Sequence, residues 1–233
     1  MCGRFTLTDP NQKLAVQFNL PAIPDMQPRY NIAPTQPVAA VRIARESEGR
    51  ELAMLHWGLI PFWAKDPKIG ARMINARSET VAEKPAFRAA FRRRRCLVLA
   101  DGFYEWQKLD SGKQPHYIRL HEGQPFALAG LWEHWKGPED RMIESCTLLT
   151  TQPNELVRQM HNRMPVILHP GDYALWLDPE VQDARRLQPL LRPYPEAEME
   201  TYPVSRMVNS PKNDDPRCIE PQETALDTRL PGL

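Results

Sequence analysis

Residues 96–106 read CLVLADGFYEW, an apolar run that ends in a turn and continues into aromatic residues around one glutamate. Such a run is typical of a short buried strand. Comparable runs occur at 38–44, 51–57, 116–120, 125–132 and 143–150. Because these strands do not alternate regularly with helices, the pattern predicts an α+β fold on a mainly antiparallel sheet rather than a doubly wound one.

Helices are predicted between and beside these strands. A capped amphipathic helix is expected directly after Thr8-Asp9-Pro10. Others are expected at 84–94, 153–160 and 170–177, with Pro153 in the first turn of its helix. The proline-rich stretch 21–37 is predicted to contain no regular structure. Proline is abundant throughout, at 24 of 233 residues, which favours fixed turns over a helix bundle.

The composition indicates a globular protein. Apolar residues make up 42% of the chain and charged residues 25%, which excludes disorder throughout. No apolar run approaches the roughly 18 residues that a membrane helix needs. The opening MCGRFTLTDP lacks an apolar signal core, so we expect a cytoplasmic protein. We expect one domain over residues 1–233 and a monomer.

Charge is divided unevenly along the chain. Residues 1–120 carry 19 Lys and Arg against 11 Asp and Glu, whereas residues 121–233 carry 11 against 18. Such asymmetry indicates a surface that faces a polyanion. The run Arg92–Arg95 is interpreted as a solvated helix end, because four successive side chains point around a helix rather than along one face.

Cofactor sites are not predicted. The four cysteines show no CxxC spacing, and the histidines show no ligand spacing, so neither a metal site nor a disulfide framework is expected. No glycine-rich phosphate loop occurs, so a nucleotide cofactor is not expected either. Cys96 and Cys146 lie in apolar runs and are interpreted as core residues.

Cys2 differs from the other three cysteines because it directly follows the initiator Met1. Removal of Met1 would expose a 1,2-aminothiol, whose amine has a pKa of about 7.7–8.0 and is partly neutral at physiological pH. The amine can condense with an aldehyde to an imine, and the thiol can then close a thiazolidine ring. Alternatively, the thiol could attack an amide, or the terminus could simply fray in solvent.

Three further positions are candidates for chemistry. Glu105 lies among aromatic residues, where a carboxyl group has a raised pKa, although an exposed position on an alternating strand is the equal alternative. His161 could be a general base or a cation at a helix end. Asn75 and Arg77 alternate, so both could face one cleft, or they could be a turn residue and a solvated cation.

Seven segments together resemble the SOS response-associated peptidase family, whose members are also called abasic site processing proteins. The segments are MCGRF at 1–5, RYNIAPTQ at 29–36, WGLIPFWAKD at 57–66, INARSET at 74–80, LADGFYEW at 99–106, HNRMPVIL at 161–168 and VSRMVNSPKN at 204–213. They occur in order over almost the whole chain. The resemblance implies a single α+β domain on a curved, barrel-like, mainly antiparallel sheet with flanking helices.

The resemblance also implies a function. It implies recognition of abasic sites in single-stranded DNA and covalent trapping by Cys2 after Met1 is removed. Asn75 would then orient the amino terminus and the opened sugar. Glu105 would move a proton at the sugar oxygen, and His161 would assist imine formation.

The same resemblance implies the contacts with DNA. Arg77 and Arg163 would hold phosphates that flank the lesion, with Arg4 close by. Pro34 and Trp63 would form an apolar wedge beside it. Two other functions remain open on the sequence alone: a thiol peptidase with an N-terminal nucleophile, and a non-catalytic module that binds single-stranded DNA.

Overall fold

Short strands dominate the chain in the computed structural model, which describes residues 2–10, 12–44 and 49–222. The strands in these residues are β1 (Phe5–Leu7), β2 (Arg29–Ile32), β3 (Pro37–Ile43), β4 (Arg50–Trp57), β5 (Asn75–Arg77), β6 (Arg95–Ala100), β7 (Gly102–Leu109), β8 (Gly112–Leu120), β9 (Phe126–Lys136), β10 (Met142–Thr151), β11 (Met164–Pro165), β12 (Ile167–Leu168) and β13 (Met199–Pro203). The α-helices there are α1 (Gln12–Phe18), α2 (Arg88–Arg93), α3 (Glu155–Arg158), α4 (Tyr173–Leu177) and α5 (Ala184–Leu187). The domain predicted over 1–233 extends at both ends beyond the described residues.

Five of the strands close into a barrel. β10 pairs with β4, β4 with β3, β3 with β6, β6 with β9, and β9 with β10 again. Four of these strand pairs are antiparallel, and the pair of β10 and β4 is parallel. Closure removes the free edges that an open sheet would expose. The predicted α+β fold with a barrel-like, mainly antiparallel sheet and flanking helices is therefore confirmed.

A second sheet carries the amino-terminal strand. Its order is β13-β8-β7-β1-β2, and every pairing is antiparallel. β1 lies between β7 and β2, with Phe5 opposite Phe103. β1 also contacts β6 of the barrel. The segment just before β1 is thereby held where the two sheets meet.

Apolar side chains fill the barrel and the space between the sheets. Cys96 and Cys146 are both 0% exposed within this core, which confirms their interpretation as core residues. Gly130 on β9 permits a close approach between strands, because a Cβ there would lie 2.7 Å from Cys96 Sγ and 3.0 Å from a Val98 methyl. The close packing of β9 against β6 therefore requires a glycine at position 130, where any side chain would collide with its neighbours.

Several predicted elements differ from the observed ones. The helix predicted at 84–94 is shorter, because turns precede α2. Pro153 lies outside α3, since Asn154 is the N-cap residue and its side chain accepts a hydrogen bond from Val157 N at 3.0 Å. The prediction of no regular structure in 21–37 is wrong, because β2 lies there and pairs with β1.

The interpretation of Arg92–Arg95 as a solvated helix end is correct for the exposed Arg92 and Arg93 and wrong for Arg94 and Arg95. α2 ends at Arg93, and Arg95 begins β6 with only 2% of its surface exposed. Its guanidinium donates to the backbone carbonyls of Trp176, Phe91, Arg92 and Asp178. Arg94 donates from Nη2 to Glu133 Oε2 at 2.6 Å. Two of the four arginines therefore tie the barrel to its flanking helices.

The described helices are all short. None of those found in 2–10, 12–44 and 49–222 has both the length and the apolar character needed to cross a membrane.

Candidate functional site

Cys2 is buried at the start of the second sheet. The backbone leading into β1 is held by β7, because Tyr104 N donates to the carbonyl oxygen of Arg4 at 3.0 Å. Cys2 is 0% exposed, and its thiol lies 4.0 Å from that same carbonyl oxygen. The alternative of a frayed terminus therefore does not apply to Cys2. Met1 lies outside the described residues.

Asn75 contacts the backbone of Cys2 directly. Its Nδ2 donates to the carbonyl oxygen of Cys2 at 2.7 Å. The position of Asn75 is fixed by β5, which pairs with β10, and by Ile74, whose carbonyl accepts from Trp57 Nε1 at 2.9 Å. Asn75 Oδ1 is buried and has no hydrogen-bond partner within the described ranges. One acceptor of Asn75 is therefore available to a bound molecule.

Glu105 lies on β7 and is only 3% exposed, so the alternative of an exposed strand residue is wrong. Burial raises the pKa of this carboxyl group from 4.5 to about 7. Burial also raises the pKa of the Cys2 thiol to about 12, and the negative charge of Glu105 acts in the same direction. The two groups therefore share one desolvated environment, in which a protonated thiol lies near a carboxyl group that titrates near neutral pH.

His161 lies in the turn that follows α3. Its backbone N donates to Val157 O at 2.9 Å, and its ring Nδ1 accepts from Arg163 N at 3.0 Å. Burial lowers the pKa of the imidazole, and nearby positive charges, among them Lys113, act in the same direction. The neutral ring is therefore favoured. Because Nδ1 lies nearer to Arg163 N (3.0 Å) than to Arg163 O (3.3 Å), we assign Nδ1 as the acceptor and the proton to Nε2.

A cleft of about 650 Å³ opens beside Asn75. Its lining includes Trp63, Met73, Asn75, Arg77, Thr80 and Lys84. The alternation in β5 accounts for two of them, because Asn75 and Arg77 flank the buried Ala76 and face the same side. The expectation that Asn75 and Arg77 share a cleft is therefore confirmed. Trp63 is 50% exposed at the rim and the adjacent Phe62 is 58% exposed.

Pro34 lies in a neighbouring turn. The turn is held by Thr35, whose backbone has a φ of 71° and whose N donates to Trp57 O at 2.8 Å. Thr35 lines a different cleft, of about 540 Å³, together with His56 and Lys68. Trp63 lines the cleft beside Asn75, whereas Thr35, the residue after Pro34, lines the other cleft, so a shared wedge of Pro34 and Trp63 stays a prediction.

Arg4 is engaged within the fold. Its Nη1 donates to Asn31 Oδ1 and to the carbonyl oxygen of Val208, both at 2.7 Å. The guanidinium also lies 5.9 Å from the centre of the Trp106 ring. These contacts join the amino-terminal segment to the segment around residue 208. Contact of Arg4 with DNA stays a prediction.

Arg163 also has partners within the fold. Its guanidinium forms a two-pronged ion pair with Glu79, with distances of 2.5 and 2.9 Å, and donates to Thr150 O at 2.5 Å. The sequence prediction omits Glu79, although Glu79 continues the Asn75–Arg77 alternation. It also omits Phe62, whose apolar ring is exposed beside Trp63. Contact of Arg163 with a phosphate stays a prediction.

Metal ligands do not cluster in the described part of the chain. Residues 2–10, 12–44 and 49–222 contain no group of three or more His, Cys, Asp or Glu side chains that could hold an ion.

Known proteins resemble this chain over most of its length. The abasic site processing protein YoqW of Bacillus subtilis is 47% identical over 224 residues, which cover 94% of this chain and 99% of YoqW. The abasic site processing protein HMCES of Xenopus tropicalis is 34% identical, over 83% of this chain and 66% of HMCES.

Solved structures share the fold. A protein from Bacteroides thetaiotaomicron superimposes with a TM-score of 0.85 at 24% identity, covering 95% of this chain and 100% of that one. A protein from Bordetella bronchiseptica gives a TM-score of 0.74 at 27% identity, covering 88% and 100%. The model of the SOS response associated peptidase family matches residues 1–211. Since that match and the close relatives span most of the sequence, the chain belongs to the SOS response associated peptidase family.

Proposed function

We propose that this protein recognises abasic sites in single-stranded DNA and traps them as a covalent thiazolidine through Cys2, once Met1 has been removed. The names of the relatives YoqW and HMCES, both abasic site processing proteins, support the class of substrate. The observation that carries the chemistry is the shared burial of Cys2 and Glu105, with the pKa of the carboxyl group at about 7.

The substrate supplies the electrophile. An abasic deoxyribose exists partly as an open-chain aldehyde, and an aldehyde is the group that a 1,2-aminothiol traps as a ring. Asn75 supports this binding mode, because its Nδ2 holds the Cys2 carbonyl at 2.7 Å and its buried Oδ1 remains an available acceptor. That oxygen can accept a hydrogen bond from the α-amine or from a sugar hydroxyl group.

The covalent reaction proceeds in two steps. The α-amine of Cys2 adds to the aldehyde carbon, and the resulting carbinolamine loses water to give an imine. The thiol sulfur then adds to the imine carbon while the thiol proton reaches the imine nitrogen. The sum is aldehyde plus aminothiol giving thiazolidine plus one water, with no oxidant or reductant required.

Proton transfer is assigned to Glu105 and His161. Opening of the sugar ring requires a proton on the ring oxygen, and a carboxyl group with a pKa of about 7 is partly protonated at neutral pH. The thiol, whose pKa is about 12, is protonated there and needs a base when it attacks. The ionised fraction of Glu105 can serve as that base. Neutral His161 can assist the loss of water from the carbinolamine.

Strand binding is assigned to the cleft beside Asn75. Arg77 and Lys84 on its lining carry positive charge toward the phosphates, and such contacts do not depend on sequence. The half-exposed Trp63 offers a face on which a neighbouring base can stack, a contact that requires unpaired bases. Pro34 precedes Thr35, which lines the second cleft, and would limit stacking there.

A peptidase that uses the Cys2 thiol is the alternative. Such an enzyme needs a thiolate that a protein substrate can reach. The 0% exposure of Cys2 limits the access of either substrate, so the names of the relatives, abasic site processing proteins, are what favours DNA over a protein substrate.

Intact-protein mass spectrometry tests the proposal. The starting mass reports whether Met1 is present, and the protein is then mixed with a single-stranded oligonucleotide carrying one abasic site. We expect a new species at the mass of protein plus oligonucleotide minus water, absent with an intact strand. Cys2→Ala should abolish the species, whereas Cys218→Ser, a matched change at another buried cysteine, should retain it.

Other outcomes would contradict the proposal. An equal yield from Cys2→Ala would exclude the thiazolidine. No adduct from protein that lacks Met1, together with cleavage of peptides blocked by alkylating agents, would favour the peptidase. Equal affinity of wild type and Cys2→Ala for intact and abasic strands, without any adduct, would indicate a binding module.

A further inference from the structure

The ion pair between Arg163 and Glu79 connects three segments around His161. Glu79 follows β5, Thr150 lies at the end of β10, and Arg163 lies in the turn after α3. The Arg163 guanidinium reaches both carboxylate oxygens of Glu79, at 2.5 and 2.9 Å, and the carbonyl oxygen of Thr150 at 2.5 Å. A planar guanidinium matches a carboxylate in this two-pronged geometry, so the side chain has a defined orientation.

The same arginine also determines the position of the imidazole ring. Its backbone N donates to His161 Nδ1 at 3.0 Å. Its side chain is only 13% exposed, whereas that of Glu79 is 43% exposed. Because the Arg163 side chain is bonded to Glu79 and to Thr150, the backbone of Arg163 has little freedom to move. The orientation of the His161 ring therefore depends on contacts made two residues further along the chain.

We propose that Glu79 is a positioning residue for His161 and acts on it through Arg163. The proposal rests on the proposed function in one respect only, namely that His161 assists the loss of water during imine formation. In this arrangement the Arg163–Glu79 pair holds the turn so that Nδ1 remains the acceptor and Nε2 presents its proton to the substrate. Loss of the Glu79 carboxylate removes both bonds of the ion pair and leaves the Arg163 side chain to its contacts with Thr150, so the turn then samples other conformations.

A competing role for Glu79 makes the opposite prediction. If Glu79 merely occupies Arg163 until a DNA phosphate displaces it, removal of the carboxylate should tighten DNA binding and make it more sensitive to salt. Under our proposal, DNA affinity is unchanged and the chemical step slows. Removal of the Glu79 carboxylate therefore changes the DNA affinity under the competing role and the rate of the chemical step under our proposal.

The first experiment determines the tautomer of the His161 ring in the absence of DNA. Nitrogen NMR of protein labelled at histidine reports which ring nitrogen carries the proton, and His161→Gln assigns the His161 signals. We expect the Nε2-protonated form to dominate in the wild type, and to give way to a mixture of both tautomers in Glu79→Ala. Glu83→Ala removes an exposed carboxylate four residues further on and should leave the signals unchanged.

The second experiment separates binding from chemistry. Crosslinking to an abasic oligonucleotide is followed in single turnovers at increasing DNA concentration. Glu79→Ala should lower the maximal rate roughly ten- to hundredfold, the range expected for a displaced catalytic group, with the half-saturating concentration unchanged. Glu79→Gln keeps one oxygen for Arg163 and should lie between Glu79→Ala and wild type, and Glu83→Ala should match wild type.

The outcomes separate this inference from the proposed function. Unchanged His161 signals in Glu79→Ala, with thermal unfolding at the wild-type temperature, would overturn the positioning role whether or not the protein crosslinks. Tighter DNA binding at an unchanged maximal rate would overturn it in favour of competition with phosphate. A wild-type protein that forms no adduct would instead refute the proposed function, while the NMR comparison would still decide the role of Glu79.

Discussion

Asn75 Nδ2 donates to the carbonyl oxygen of Cys2 across 2.7 Å, and this bond joins the amino-terminal segment to the strand that borders the cleft. The bond fixes the plane of the peptide group that follows Cys2. It therefore also limits the directions in which the amine and the thiol of Cys2 can point. Orientation of this kind contributes to the rate of a reaction between two bound groups.

Replacement of Asn75 should affect the rate of crosslinking more than the affinity for DNA. Asn75→Ala removes the bond to Cys2 and the buried acceptor, so we expect the maximal crosslinking rate to fall roughly ten- to hundredfold. Affinity for an intact single strand should stay within about twofold, because a neutral amide releases no counterions. Single-turnover kinetics and fluorescence anisotropy measure the two quantities. A large loss of affinity at an unchanged maximal rate would assign Asn75 to DNA binding instead.

Glu105→Gln should change how stability depends on pH. The folded-state pKa of about 7 lies above the ordinary value of 4.5, so the native state holds a proton that the unfolded state releases. The free energy of unfolding of the wild type should therefore fall as the pH rises from about 4.5 to about 7, by about 3 kcal/mol in total.

In Glu105→Gln this loss should be absent, because glutamine does not titrate. Denaturant unfolding at pH 5 and pH 8 measures the difference between the two proteins. Parallel stability curves for wild type and Glu105→Gln across this range would show that Glu105 ionises normally in the folded protein.

Arg77→Ala should weaken binding of any single strand by a similar factor. Arg77 is exposed on the cleft lining, and loss of one phosphate contact should lower the slope of log affinity against log salt by about 0.7 for single-stranded DNA. Binding isotherms at several salt concentrations measure the slope. A slope equal to that of wild type would mean that Arg77 contacts no phosphate.

Arg4→Ala should act mainly on stability. The Arg4 guanidinium bonds to Asn31 Oδ1 and to Val208 O, and Val208 O also accepts from Asn31 Nδ2 at 3.2 Å. Loss of Arg4 therefore removes the donor to Asn31 Oδ1, at a cost of about 1–3 kcal/mol. Thermal unfolding should detect this change, and the salt slope for DNA should remain at the wild-type value. A lower slope at unchanged stability would instead place Arg4 on the DNA, as the family resemblance implies.

Arg95→Ala should destabilise the fold strongly, unlike the same change at Arg92. Arg95 is buried and its guanidinium bonds to four backbone carbonyls, whereas Arg92 is exposed at the helix end. Loss of these bonds should cost on the order of 3 kcal/mol, or roughly 6–12 °C in Tm for a domain of this size. Arg92→Ala should change Tm by no more than about 2 °C. Equal melting temperatures for the two variants would contradict this assignment.

Local patterns in the sequence predict much of the fold. The apolar runs that become β3, β6, β9 and β10 are recognisable because both faces of these strands are largely buried, whereas buried and more exposed residues alternate in β4. β1 and β2 are not recognisable, because each is short and takes its partners from distant parts of the chain. The barrel closes because β10 pairs with both β4 and β9. These strands are distant in the sequence, so the sequence of β10 alone does not predict the closure.

In the site, too, the features that depend on neighbouring residues are predictable from the sequence, and those that depend on distant residues are not. The alternation of Asn75 and Arg77 allows a shared cleft, and the aromatic neighbours of Glu105 make burial one of two equal alternatives. The local sequence around Arg95 suggests a solvated residue, because its carbonyl partners at Trp176 and Asp178 lie about 80 residues away. The bond of Asn75 to Cys2 is equally non-local, at 73 residues of separation.

The burial of Cys2 has a consequence for the order of events during protein synthesis. β1 is covered by β7, which begins roughly 100 residues after Cys2. At about 5–20 residues per second, the nascent amino terminus stays uncovered for about 5–20 s before β7 is complete. The proposed function requires the removal of Met1, and during this interval the segment at Cys2 is not yet covered by β7.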